Sequence, residues 1–198
     1  YNRNMLKKEF VYRELLYQVF EKEKFEFTQL GLSKKFGISL STVNNAISPL
    51  RKMNSIEVKP RKLVVQDPKK ILYYWASIRK LDKDILFETR VDMPVKKIES
   101  HMPDNIVFGG YSGYKFKFNE VPADYSEVYV YGDISLRKRF PKNKNVPNLI
   151  VIKKDSFLDK YGKVTPIGNT FVDLWNIQTW YAREFVKYLE DKINAVLE

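Results

Sequence analysis

The chain contains no cysteine. It can therefore form no disulfide, thiolate metal site or cysteine nucleophile, a usage that fits the reducing cytoplasm. Its one histidine, His101, has no second histidine to share a metal. No segment approaches the roughly 18 consecutive apolar residues needed to span a bilayer, and no signal-peptide pattern follows the opening Tyr1. The eight glycines include Gly109, Gly110 and Gly113, yet GGYSG matches neither a dinucleotide fingerprint nor a phosphate-binding P-loop. A turn after a strand is the ordinary use of such glycines. Negative charge is also scarce, with 24 acidic side chains against 35 basic ones and a net charge of +11.

That imbalance is local. Residues 1–80 carry 17 Lys and Arg against 7 Asp and Glu, a net of +10, whereas 81–198 carry 18 against 17. The excess positive charge therefore sits on the first part of the chain, as a footprint for a polyanion requires. With 44% hydrophobic and 15% aromatic residues, the chain can bury one large or two small cores, and the charge split favours two domains, 1–80 and 81–198. No basic amphipathic anchor helix is present, so a membrane surface is not the expected partner.

The segment Thr28 to Met53, TQLGLSKKFGISLSTVNNAISPLRKM, has the pattern of two short helices joined by a tight turn. Leu30, Leu32 and Phe36 supply apolar positions in the first helix, Gly37 permits the turn, and Ser39 or Ser41 can cap the second. Val43, Ile47 and Leu50 then form one buried stripe. This leaves Ser41, Thr42, Asn44, Asn45, Ser48, Arg51 and Lys52 on an outer face without an acidic residue, able to donate to phosphates and read base edges. Pro49 falls inside this helix, and its missing N–H predicts a kink. Ile56 to Gln66 follow as two β-type runs around Lys59-Pro60-Arg61-Lys62, the pattern of a basic wing. Together with an opening helix over Asn4 to Lys22, these elements predict a winged helix-turn-helix. Thr42, Asn44 and Asn45 are the expected base-edge readers. Ser39, Ser41, Arg51 and Lys52 are expected at phosphates, with Ser48 on the same face, and Lys59, Arg61 and Lys62 at the backbone or minor groove.

Asp67-Pro68 is a helix-start signal for a bridging helix over Lys69 to Lys80. Beyond it the sequence predicts strands in ILFETRVDM, NIVFGG, YKFKFN, EVYVYGD and NLIVIKKD. Helices are expected in PVKKIESHM, in SLRKRFP and over Thr170 to Leu197, the last with at most a break near Asn176 to Gln178. The fold class is α+β, a winged domain followed by a mixed α/β domain ending in a long helix.

Chemistry is harder to find. A nucleotidyltransferase would place an Asp-x-Asp pair after its glycine turn, but Asp124-Tyr125-Ser126-Glu127 spaces the carboxylates one position too far apart, which reverses the face on a strand. Glu57-Val58-Lys59 has a nuclease-like spacing but belongs to the wing. A metal-dependent nucleotidyltransferase or nuclease using Asp124, Glu127 and Asp133 is the alternative reading; the main one assigns no catalytic residue, metal or cofactor. Asp173 and Glu184 would share a face of a continuous helix yet lie about 16 Å apart along it, too far for one metal. Trp175, Trp180, Phe185 and Tyr188, at helical spacing, are expected to be core.

The stretches ILYYWASIRKLDKDILFETRVDMPVKKIESHMPDNIVFGGYSGYKF, VPADYSEVYVYGD, PNLIVIKKD and VTPIGNTFVDLWNIQTWYAREFVKYLEDKI resemble the carboxy-terminal part of AbiEi-type regulators, the antitoxins of type IV toxin-antitoxin pairs. Pro166, Phe171, Asp173, Leu174, Trp175, Asn176, Ala182, Glu184, Phe185 and Leu189 match that family's terminal pattern. The resemblance implies a non-enzymatic, autorepressing DNA-binding protein. Its partners would be operator duplex and a nucleotidyltransferase-like toxin, and a homodimer is compatible with it. The long opening helix and Pro49 depart from the family's pattern, so its operator geometry does not carry over.

Overall fold

A computed structural model describes residues 6–198. Asn4 and Met5, assigned to the opening helix from sequence, lie outside the described residues. The protein is α+β. Helix α1 (Lys7–Lys22) leads into β1 (Glu26–Phe27), α2 (Gln29–Phe36), α3 (Leu40–Lys52), the hairpin β2 (Ile56–Lys59) and β3 (Lys62–Val65), and α4 (Pro68–Ile78). Strand β3 is central in a three-stranded antiparallel sheet of order β1-β3-β2. Asp67 caps α4 by accepting from the Lys70 N–H, and Pro68 opens its first turn.

The remainder consists of β4 (Ile85–Thr89), α5 (Val95–Ser100), β5 (Val107–Gly109), α6 (Gly110–Phe118), β6 (Val128–Gly132), β7 (Leu149–Lys153), α7 (Ile167–Asn176) and α8 (Ala182–Leu197). Its sheet has the order β4-β7-β6-β5, with β6 and β7 parallel and both edge strands antiparallel to their neighbours. Alternation along the central strands gives this sheet two apolar faces. Tyr131, Ile150 and Ile152 belong to the large core with α1, α3, α7 and α8, while Val128, Val130, Leu149 and Val151 pack with Phe87, Ile98, Leu136 and Phe140 in a second cluster.

The large core runs without interruption across residue 80. Helix α1 buries Val11, Leu15, Leu16 and Val19, and it meets α7 closely at Gly168, where a Cβ would stand 3.0 Å from the Leu16 Cβ. Buried polar groups cross the same junction. Arg13 makes a two-pronged ion pair with Asp155 at 2.7 and 2.8 Å. Glu14 accepts from the Tyr161 hydroxyl at 2.7 Å, and Asn176 Nδ2 donates to the Ala76 carbonyl at 3.1 Å.

Three expectations are corrected. YKFKFN lies mostly in α6 and forms no strand: Tyr111 and Tyr114 meet Phe185 at helical spacing, Phe118 packs one turn on against Tyr114, and Phe116 faces outward. SLRKRFP forms a 3-10 turn, Ile134–Lys138. The terminal helix, expected with at most a break near Asn176 to Gln178, is two helices: Ile177 is extended and 177–181 separate α7 from α8. Asp173 and Glu184 therefore stand on different helices.

Candidate nucleic-acid interface

Local hydrogen bonds place α3 firmly. Thr28 caps α2 by accepting from the Gly31 N–H at 2.9 Å. Gly37 ends it in the left-handed region at φ +58°, where glycine bears no Cβ penalty, and Ser33 Oγ donates to the Ile38 carbonyl at 2.6 Å across the turn. Ser39 caps α3, accepting from the Thr42 N–H at 3.0 Å. Its hydroxyl also lies 2.9 Å from the Thr42 hydroxyl, so these two side chains form one unit at the helix start.

Val43, Ala46, Ile47 and Leu50 are buried, and the Tyr12 hydroxyl donates to the Ala46 carbonyl at 2.9 Å, fixing α3 against α1. Ser41, Asn44, Asn45, Arg51 and Lys52 are exposed, and Thr42 and Ser48 half-buried. Ser41, Asn44, Asn45, Ser48 and Lys52 fall at helical spacing on one stripe, with Thr42 rotated toward its flank. The helix continues through Pro49 to Lys52, with the Met53 N–H bonded to the Pro49 carbonyl at 3.1 Å. The carbonyl deprived of its partner by Pro49 is that of exposed Asn45, which solvent can satisfy.

The hairpin is anchored to the end of α3. Ser55 sends both its N–H and its hydroxyl to the Leu50 carbonyl, at 3.0 and 2.9 Å. Lys59 pairs with Lys62 across a two-residue turn of Pro60 and Arg61, with Arg61 at φ +67°. Lys59 contacts Glu57 at 3.0 Å and Lys62 contacts Glu26 at 2.6 Å. The Lys62 hydrogen bond and charge lower the Glu26 carboxyl. Both pairs are solvent-exposed, where an ion pair holds its partners only weakly. Among the described residues, Arg51, Lys52 and Arg61 enter no ion pair.

All eleven sequence-selected residues thus lie on α3, its cap and the adjoining hairpin. Leu30, read as core, is instead 52% exposed. Leu40, which the sequence pattern did not single out, is 50% exposed in the first turn of α3, one position before Ser41. The signal for it was its place directly after the cap, where the apolar stripe has not yet begun.

The carboxylates of the enzymatic alternative are not gathered. Asp124 is exposed, Glu127 accepts from the Tyr181 hydroxyl, and Asp133 caps the 3-10 turn through the Ser135 N–H at 2.7 Å. Strand β6 separates Glu127 from Asp133 by about 20 Å at the usual rise per residue. No group of three or more His, Cys, Asp or Glu could hold a metal ion among the described residues. His101 is exposed, its Nδ1 lying 2.7 Å from the Lys97 carbonyl.

Asp173, on α7, is fully buried against the start of α6. It accepts from the Tyr131 hydroxyl at 2.6 Å and from Asn169 Nδ2 at 3.2 Å, and a bond with the Gly110 backbone helps hold the charge. Burial outweighs these partners and pushes its carboxyl up to about 7. Of the four aromatics expected in the core only Phe185 is buried; Trp175, Trp180 and Tyr188 are exposed. No helix among the described residues is long and apolar enough to cross a membrane. No family model, curated protein or solved structure matches the chain.

Proposed function

We propose that this protein is a cytoplasmic, sequence-specific regulator of transcription that binds double-stranded DNA through a winged helix-turn-helix formed by α1 to β3. The observation that carries this reading is the acid-free outer stripe of α3, Ser41, Asn44, Asn45, Ser48 and Lys52, beside a hairpin that presents Arg61 between two lysines. The order helix, strand, helix, helix, hairpin suits insertion of α3 into a major groove, with the wing along the backbone. Asn44 and Asn45 would pair with adenine edges and Thr42 would meet a thymine methyl. Ser39, Ser41, Arg51 and Lys52 would hold phosphates, and Lys59, Arg61 and Lys62 would extend that grip.

Autorepression, an antitoxin role for residues 81–198 and pairing with a nucleotidyltransferase-like toxin belong to the same proposal and rest on the AbiEi resemblance. The base-reading claim is tested with an Asn44→Ala, Asn45→Ala double variant. Preference for the protein's own upstream DNA over a scrambled duplex should vanish while weak non-specific binding persists. Equal loss on both duplexes would count against base reading by these residues.

A further inference from the structure

The count of +1 over residues 81–198 conceals a segregated charge. Residues 134–154 contain seven Lys and Arg and no Asp or Glu. Five of these cations, Arg137, Lys138, Arg139, Lys142 and Lys144, lie in or after the 3-10 turn that follows β6, and all five are exposed. The loop carrying them is pinned. Phe140 and Leu136 are buried in the second apolar cluster, the Thr89 hydroxyl donates to the Pro141 carbonyl at 2.8 Å, and the Asn143 N–H returns a bond to the same hydroxyl at 2.9 Å. Asn148 seals the base, exchanging bonds with the Val91 N–H and carbonyl at 2.7 and 2.9 Å.

Arg139, Lys142 and Lys144 line a cleft of about 560 Å³ together with Arg90 and His101, in which Asp92 is the one acidic side chain. Arg139 donates to the His101 carbonyl at 2.8 Å, and the Arg137 guanidinium lies over the Phe87 ring. Lys138, Lys142 and Lys144 enter no ion pair among the described residues. The anchoring cluster lies on the sheet face opposite the one that belongs to the large core shared with α3, so the loop is held on the side of that sheet away from that core.

We propose that the 137–144 loop is a second phosphate-binding surface, which engages nucleic-acid backbone separate from the stretch under α3. The composition favours a nucleic acid over an acidic protein: protein interfaces are depleted in lysine and enriched in aromatics, and the exposed residues of this loop are three lysines, two arginines and Pro141, its one aromatic ring, Phe140, being buried. Lysine and arginine side chains are the principal donors to phosphate, and they carry no sequence information there. The surface therefore adds affinity without changing which sequence is preferred.

The test is a salt titration of binding to a scrambled duplex by the full chain and by a Lys138→Ser, Lys142→Ser, Lys144→Ser variant. Because the three lysines hold no part of the fold together, the variant's thermal midpoint should match the parent's. Its log K against log salt slope should fall by up to about 3, near 0.9 for each phosphate that is no longer neutralised, and an immobilised duplex should no longer retain a second, labelled duplex through the protein. An unchanged slope with retention intact overturns the proposal, as does tighter binding of a polyglutamate peptide than of a duplex at matched charge. Failure of the α3 reading is separable: it would show as equal loss on both duplexes in the Asn44, Asn45 experiment and leave this slope difference in place.

Discussion

Asp173 shows how one side chain can tie stability to pH. Its carboxyl titrates near 7 in the folded chain against an ordinary 3.8, so between those values the folded state holds a proton that the unfolded chain has released. Stability from this group is therefore full below about 4 and is lost as pH rises through about 7. Asn169 Oδ1 is buried without a hydrogen-bond partner, and a turned amide would let it accept that proton. The urea midpoint should fall across this window, and Asp173→Asn should flatten the fall; an equally steep fall in the variant would remove Asp173 as its source. Asp155 acts in the opposite sense. Although burial opposes ionisation, Arg13 holds its carboxyl below the usual range, so its contribution is lost only at acid pH. At the start of α3, Ser39→Ala removes the cap and should cost about 1 kcal/mol in chemical denaturation; no loss would mean that the Thr42 N–H finds another acceptor.

At the scale of elements, the β2–β3 hairpin combines a conformational cost with a charge. Arg61 adopts a left-handed conformation that costs a non-glycine residue about 1 kcal/mol. Arg61→Gly should raise stability by roughly that amount while reducing the salt slope of DNA binding by about one. A lower slope without stabilisation would show the turn to be unstrained; an unchanged slope would remove the hairpin tip from the proposed interface. The α2 and α3 pattern was legible because caps, a glycine turn and a 3.6-residue apolar period all agree there. The α6 segment was not, since Tyr-Lys-Phe-Lys-Phe also alternates, and its helix forms because Tyr111 and Tyr114 find Phe185, a partner far along the chain. Leu30 looked like core for a similar reason: its apolar side chain fits the period, but the packing that would cover it is absent at that turn of α2. The break before α8 was visible only as a weak point, because its cause is tertiary: Asn176 is drawn to the Ala76 carbonyl, and Thr179 meets the Tyr111 hydroxyl.

At the scale of the whole molecule, α1 is the shared element. It packs on α3 through Tyr12 and on α7 through Leu16, with Arg13 joined to Asp155 beyond β7. Gly168→Val should overpack the junction of α1 and α7 and cost about 1–3 kcal/mol, and a single unfolding transition followed by two probes, one on each side of residue 80, should shift as one. Two separated transitions would show that the halves fold independently. Counting charge by halves concealed the 137–144 loop, because acidic residues elsewhere in 81–198 cancel it in sequence but not in space. The most direct measurement is binding of the purified protein to its own upstream intergenic DNA and to a scrambled duplex of equal length, at physiological salt. A preference of about 10³ or more is expected of an operator-specific regulator; equal, weak and salt-sensitive binding to both duplexes would contradict it.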